Sequence, residues 1–155
     1  METHAELSSC RKYRYALWRT WDKSKAKVMF IGLNPSTADE VEDDRTISRC
    51  ISYAKQWGYG GIIMANLFAF RTPSPTEMMA STDPVGPEND HWLRELANQT
   101  PTIVAIWGNS GTFRNRAYEV ANMFPELKCL RVTGVGQPHH TRGLPNVLLP
   151  VPYSC

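Results

Sequence analysis

A continuous apolar run from Val28 to Leu33 constrains the fold of this chain more than any other sequence feature. Asn34 and Pro35 end the run, which is typical of a strand buried on both faces of a parallel sheet. Other apolar runs alternate with helical patterns: the runs cover 62–70, 102–107 and 129–133, and the helices begin near Asp44 or Thr46, at Pro87 and at Phe113. This alternation predicts an α/β fold, a three-layer α/β/α sandwich around a mostly parallel four-stranded central sheet. The alternation of residue types at 13–18 predicts an extra N-terminal strand. This strand is one option for an edge of the sheet.

The length of 155 residues suits a single domain over 1–155. A hydrophobic content of 42% and a net charge of +2 exclude disorder as a description of the whole chain. No apolar run approaches the roughly 20 residues that cross a bilayer, and the polar N-terminal segment has no signal-peptide core. We therefore expect a cytoplasmic protein with no membrane partner.

Four cysteines stand at positions 10, 50, 129 and 155, without a CxxC pair. Zinc and iron–sulfur sites usually contain at least one close pair of ligands. We therefore expect free thiols in a reducing compartment, and neither a metal nor another cofactor.

Polar side chains follow the end of each predicted central strand. Because ligands bind at the carboxyl ends of parallel strands, these side chains form the candidate site. They are Asn34, Ser36 and Thr37 after the first strand, Asn66 and Arg71 near the end of the second, Asn109 after the third, and His139, His140 and Arg142 after the fourth.

Asn66 interrupts an otherwise apolar strand, and a buried amide must be hydrogen-bonded. Its donor and acceptor lie side by side and match a nucleobase edge, whereas the structural alternative is a bond to a neighbouring loop. Asn34 either orients a water or a ligand group, or forms a plain turn with an Asx cap.

His139 and His140 lie in a C-terminal part, from Lys128 onward, that contains no acidic residue. A histidine in such a loop can act as general acid or base, donate to a developing anion or contact phosphate. Either histidine alone is typical of a surface residue. The two together, with Arg142 nearby, favour a functional role.

The loop from Asp39 to Asp44 contains five acidic residues. These carboxylates either activate water or cap the helix that begins near Thr46. Arg71 either binds a phosphate or carboxylate, or forms an ion pair with this loop at Asp43 or Asp44.

Several ordered motifs resemble those of the uracil-DNA glycosylase superfamily: Gly32 to Ser36, the strand from Met64 to Pro73, the strand from Thr102 to Gly108 and, loosely, Gln137 to His140. This resemblance covers about residues 27–145 and implies a glycosylase-like fold. The segments 34–39, 57–61 and 83–87 resemble, more closely still, an uncharacterised bacterial and phage family, domain of unknown function number 1643.

The glycosylase resemblance implies a role for each matching residue. Asn34 would position water against the sugar, Asn66 would read the base edge, and His139 or His140 would stabilise the departing base. The mechanism would be base flipping followed by hydrolysis of the N-glycosidic bond. An aromatic ring would stack on the base, and the candidates are Phe30, Tyr53 and Phe68.

The sequence thus predicts a protein that recognises a nucleobase or nucleotide and hydrolyses an N-glycosidic bond in DNA or in a nucleotide derivative. The alternative is a binder that does not react, such as a phage counter-defence protein that sequesters a nucleotide-derived signalling molecule or a modified base. The acidic loop favours a small nucleotide or one flipped base over a long DNA duplex as partner. The oligomeric state stays open, with a homodimer as one option.

Overall fold

The computed structural model describes residues 1–154, and within them the strands join in one sheet. The strands are β1 Glu2–Leu7, β2 Arg14–Thr20, β3 Lys27–Gly32, β4 Gly61–Asn66, β5 Ile103–Ala105, β6 Lys128–Cys129 and β7 Val151–Pro152. Their spatial order is β1-β2-β4-β3-β5-β6-β7. The strands β4, β3, β5 and β6 run parallel to one another, whereas β1, β2 and β7 pair antiparallel with their neighbours.

A mixed α/β fold is confirmed, but the predicted number of strands is wrong. The expected parallel strands form the centre of a sheet that has seven strands in the described chain. β2 is the predicted N-terminal strand, and it is not at an edge because β1 pairs along it from Glu2 opposite Thr20. β1 is largely polar and is exposed over its first three residues, and β7 is only two residues long, so neither forms an apolar run.

The helices are α1 Arg45–Gln56, α2 Pro75–Ala80, α3 Asn89–Ala97, α4 Arg116–Met123 and a 3-10 helix over Asn109–Asn115. Asp44 begins α1, since its carboxylate accepts a hydrogen bond from the Ile47 N–H at 2.9 Å. α2 was not predicted. It begins where the Ser74 hydroxyl accepts from the Glu77 N–H and Pro75 takes the first helical position.

Two apolar clusters lie on opposite faces of the sheet. Alternate residues of β3 serve both: Phe30 packs in the cluster under α1, and Met29 in the cluster beneath α2, α3 and α4. Each such buried side chain stabilises the fold by about 1.5–3 kcal/mol. Because β3, β4 and β5 are parallel, the residues that follow them meet at one edge of the sheet.

Within residues 1–154, no helix combines the length and apolarity needed to span a membrane. The described cysteines, Cys10, Cys50 and Cys129, are free thiols, and Cys155 lies outside the described residues. In the same part of the chain, no group of three or more His, Cys, Asp or Glu side chains is placed to hold a metal ion.

Candidate functional site

A cleft of about 610 Å³ lies at the carboxyl ends of the parallel strands. Its floor is formed by the ends of β3, β4 and β5, and its walls by the start of α1, the loop before α2 and the segment that carries His140. The volume falls in the range of about 300–1,000 Å³ that is usual for small-molecule sites. The location is the one that a parallel sheet favours for ligands.

Asn66 ends β4 at the floor of the cleft and is only 2% exposed. Its Nδ2 is buried and has no hydrogen-bond partner within residues 1–154. Its backbone carbonyl is fixed by Asn89, whose Nδ2 donates to it at 2.9 Å. Gly32 leaves room for the amide, because a Cβ there would lie 2.9 Å from Asn66 Oδ1. The backbone at Asn66 is therefore fixed, and the buried side chain carries an unpaired donor.

Asn34 also lines the cleft, and its amide nitrogen holds the loop that follows β4. Nδ2 donates to the carbonyl oxygens of Thr72 at 2.9 Å, Pro35 at 3.3 Å and Phe70 at 3.4 Å. The nitrogen thus has a structural role. The Oδ1 atom accepts no hydrogen bond from the described residues, so it can accept one from a ligand or a water.

The two histidines differ in position. His140 lines the cleft and accepts a hydrogen bond at Nδ1 from the Arg142 N–H at 2.9 Å, which leaves Nε2 to carry the proton. Nε2 lies 3.5 Å from the Thr46 hydroxyl. Burial, together with Arg142 and His139, lowers the pKa of His140 below its ordinary value. His139 is outside the cleft lining, and its Nδ1 lies 2.6 Å from the carbonyl oxygen of His140.

Arg14, at the start of β2, was not predicted to belong to the site, yet it lines the cleft and is 2% exposed. Nη1 donates to the carbonyl oxygen of Ala38 at 3.0 Å, and Nε is buried without a partner. Burial lowers the pKa of Arg14 to about 10, so the guanidinium stays charged at neutral pH. Its position inside a strand of largely apolar residues was the one available sequence signal.

Other predicted site residues divide between the cleft and its surroundings. Ser36, Asn109 and Arg142 line the cleft, whereas Thr37 is exposed outside the lining. Arg71 is outside the lining as well, and its Nη1 donates to the carbonyl oxygen of Arg11 at 3.1 Å.

None of the three aromatic candidates lines the cleft. Phe68 is fully buried against Phe113, with ring centroids 5.6 Å apart, and Phe30 packs with Tyr53 in the cluster under α1. The ring that does line the cleft is Trp107, whose Nε1 donates to Gln137 Oε1 at 3.0 Å.

The acidic loop from Asp39 to Asp44 is organised by Arg19, a fully buried residue of β2. Its Nε donates to Asp43 Oδ1 at 2.7 Å, and Nη2 donates to the carbonyl oxygens of Asp39 and Glu42. Asp43 therefore pairs with Arg19 rather than Arg71, and Asp44 caps α1. Of this loop, only Asp44 lines the cleft.

The charges that line the cleft are the cations Arg14, Arg45 and Arg142 and the anion Asp44. Cations exceed anions, so the cleft favours an anionic ligand. Its unpaired amide and guanidinium donors are suited to oxygen or ring-nitrogen acceptors.

A family model described as "Protein of unknown function (DUF1643)" matches residues 14–141. No curated protein and no solved structure matches the chain. The matched region contains Arg14, Asn34, Asn66 and His140, and thus most of the cleft. The chain therefore belongs to the DUF1643 family.

Proposed function

We propose that this protein binds a nucleobase-containing ligand, a nucleotide or a single flipped base, and holds it in the cleft without cleaving it. The observation that carries the proposal is the buried, unpartnered Nδ2 of Asn66. An unpaired buried donor is unfavourable by about 1–3 kcal/mol until it meets an acceptor. A side-chain amide has a donor and an acceptor side by side, which matches the edge of a base.

Binding without reaction is favoured because the candidate general bases of the described cleft are few and already hydrogen-bonded. Asp44 is the only carboxylate of its lining, and one of its oxygens is engaged in the cap of α1. Asn34 is an amide that does not take up a proton, and its nitrogen is held by loop carbonyls. Activation of water would therefore be weak.

Hydrolysis of an N-glycosidic bond, in the manner of the uracil-DNA glycosylase superfamily, is the second candidate. It is favoured by His140, whose Nδ1 is occupied as an acceptor and whose Nε2 can donate to a departing base anion. Asn34 Oδ1 would then hold the attacking water. In this mechanism the two residues act by position and charge stabilisation.

Calorimetric titration with nucleosides, nucleoside 5′-monophosphates and uracil- or hypoxanthine-containing oligonucleotides tests the proposal. We expect binding that weakens about tenfold or more in Asn66→Ala, because one buried hydrogen bond is lost. Asn122→Ala, an exposed amide on α4, is the matched control and should bind like the wild type. If no compound of this panel binds, the proposal fails.

The same oligonucleotides, heated in alkali after incubation, separate the two candidates. Strand breaks at abasic sites that disappear in His140→Gln would establish the hydrolase and overturn the simple binder. Binding without strand breaks would support the binder.

A further inference from the structure

Three arginine side chains are buried in the described chain, and their partners differ. Arg19 Nε lies 2.7 Å from Asp43, and Arg116 Nη2 lies 2.5 Å from Asp90. Arg14 is as deeply buried, but within residues 1–154 no carboxylate lies within ion-pair distance of it. Arg14 is also the only one of the three that lines the cleft. The one buried arginine of the described chain without an ion pair is therefore also the one that faces the cleft.

The hydrogen bonds of Arg14 leave most of its guanidinium unused. Its single side-chain bond in the described chain runs from Nη1 to the carbonyl oxygen of Ala38. Nε is buried without a partner, like Nδ2 of Asn66 in the same cleft. A guanidinium presents its donors as a planar fork that fits two oxygens of one oxyanion.

We propose that the cleft contains an oxyanion subsite at Arg14, which takes a phosphate group of the bound nucleotide. This subsite extends the proposed function. It rests on that function for the base, which is the other part of the ligand. Asn66 would contact the base, and Arg14 the phosphate. The ligand class is thus a phosphorylated nucleoside rather than a free base or a nucleoside.

Two further features of the cleft fit an oxyanion. Arg45 and Arg142 add positive charge at its exposed side, against the single carboxylate of Asp44. The twelve-residue helix α1 also begins at the cleft, and the N–H groups of Arg45 and Thr46 form no hydrogen bond with the rest of the described chain. Such N–H groups and the helix dipole favour anions.

The first test uses inorganic phosphate, which needs no base. Thermal unfolding of the full chain is followed with sodium phosphate and with sodium chloride at equal ionic strength. We expect phosphate to raise the wild-type Tm above the chloride value, and the difference to vanish in Arg14→Gln. Arg131→Gln removes an exposed charge outside the cleft lining and should keep the wild-type response.

The second test compares each nucleoside with its 5′-monophosphate by calorimetry. We expect the wild type to prefer the monophosphate about tenfold or more, Arg14→Gln to lose this preference, and Arg14→Lys to keep part of it. A preference that is unchanged in Arg14→Gln overturns the subsite, and nucleobase recognition then still stands. A phosphate response that depends on Arg14, with no nucleoside or nucleotide bound, keeps the subsite and overturns the proposed function.

Unfolding of the ligand-free protein gives a third, independent readout. Arg14→Met removes a buried cation that has no ion pair and leaves only the Ala38 carbonyl without its donor, so its Tm should fall less than that of a variant that breaks a buried ion pair. Arg116→Met leaves Asp90 without its partner and should lower the Tm. If Arg14→Met lowers the Tm as much as Arg116→Met, Arg14 serves the fold and the subsite is overturned.

Discussion

Asn66 places its side-chain amide where Gly32 has no side chain: a Cβ at residue 32 would lie 2.9 Å from Asn66 Oδ1 and 2.8 Å from Met64 Cε. Both neighbours line the cleft. We expect Gly32→Ala to displace the amide, to destabilise the protein by about 1–3 kcal/mol through overpacking and to weaken nucleotide binding by about tenfold. Urea unfolding and calorimetric titration measure the two effects.

Gly134→Ala is the matched control for this substitution. A Cβ at residue 134 would meet no atom within 4 Å, and its backbone does not adopt a left-handed conformation. This variant should bind and unfold like the wild type. Normal binding by Gly32→Ala would show that the position of the Asn66 amide does not matter.

The ion pair between Arg19 and Asp43 supports the second prediction. Arg19 is fully buried while the Asp43 side chain is 38% exposed, so the burial penalty falls on the arginine. We expect Asp43→Asn to destabilise the protein by about 1.5–3 kcal/mol, since a hydrogen bond to a charged group is weakened. Glu42→Gln, an exposed carboxylate without an ion pair, should change stability by less than about 0.5 kcal/mol. Equal effects of the two variants in urea unfolding would contradict the prediction.

His140 gives the fold a defined pH dependence. Burial and the nearby Arg142 hold the pKa of His140 below the ordinary value of about 6.5 for a histidine. As the pH falls through about 6.5, the unfolded chain takes up this proton before the native state does, so the free energy of unfolding decreases. Above about pH 7.5 both states are neutral at this residue, and the contribution is constant. Urea unfolding at pH 7.5 and at pH values below 6.5 should show a smaller decrease for His140→Gln than for the wild type.

Arg49 of α1 ties down the segment that carries His140 and Arg142. Its Nη2 donates to the carbonyl oxygens of Thr141 at 3.1 Å and Leu144 at 2.8 Å. We expect Arg49→Met to destabilise the protein by about 1–3 kcal/mol, because the Leu144 carbonyl loses its side-chain donor and the Thr141 carbonyl keeps only the Leu144 N–H. Faster amide exchange over 141–148 would locate the effect.

The control for Arg49 is Arg94→Met, an exposed arginine on α3. It removes the same charge without releasing a carbonyl of the segment. Exchange over 141–148 should stay at the wild-type rate in this variant. An equal increase in both variants would mean that net charge, and not the tether, controls this segment.

The parallel centre of the sheet could be predicted because β3, β4 and β5 lie largely within apolar runs, whereas β6 overlaps the predicted run over 129–133 only at Cys129. β3 is buried along nearly its whole length, and its alternate residues enter opposite clusters. α2 escaped prediction although Ser74, Pro75 and Glu77 form a standard helix start. The prolines of that segment favoured a loop, and six residues are too few for a helical period.

The site could be predicted only where polar residues follow parallel strands. Asn34, Asn66 and His140 satisfy that rule and reach the cleft. Phe68 also follows β4, yet it turns into the core against Phe113. Arg14 comes from an antiparallel strand, and its burial depends on pairing between distant segments. Local sequence does not encode such pairing.

Arg14, Asn66, Trp107 and His140 reach the cleft from stretches that are far apart in the chain. A ligand that contacts all four residues would therefore bind only the folded chain and not a short fragment. Ligand binding and global folding are coupled equilibria, in which a ligand at 100 times its Kd adds about 2.7 kcal/mol to the free energy of unfolding. Amide protons at the centre of β3 and β4 should therefore exchange more slowly when a ligand occupies the cleft, although these amides do not contact it.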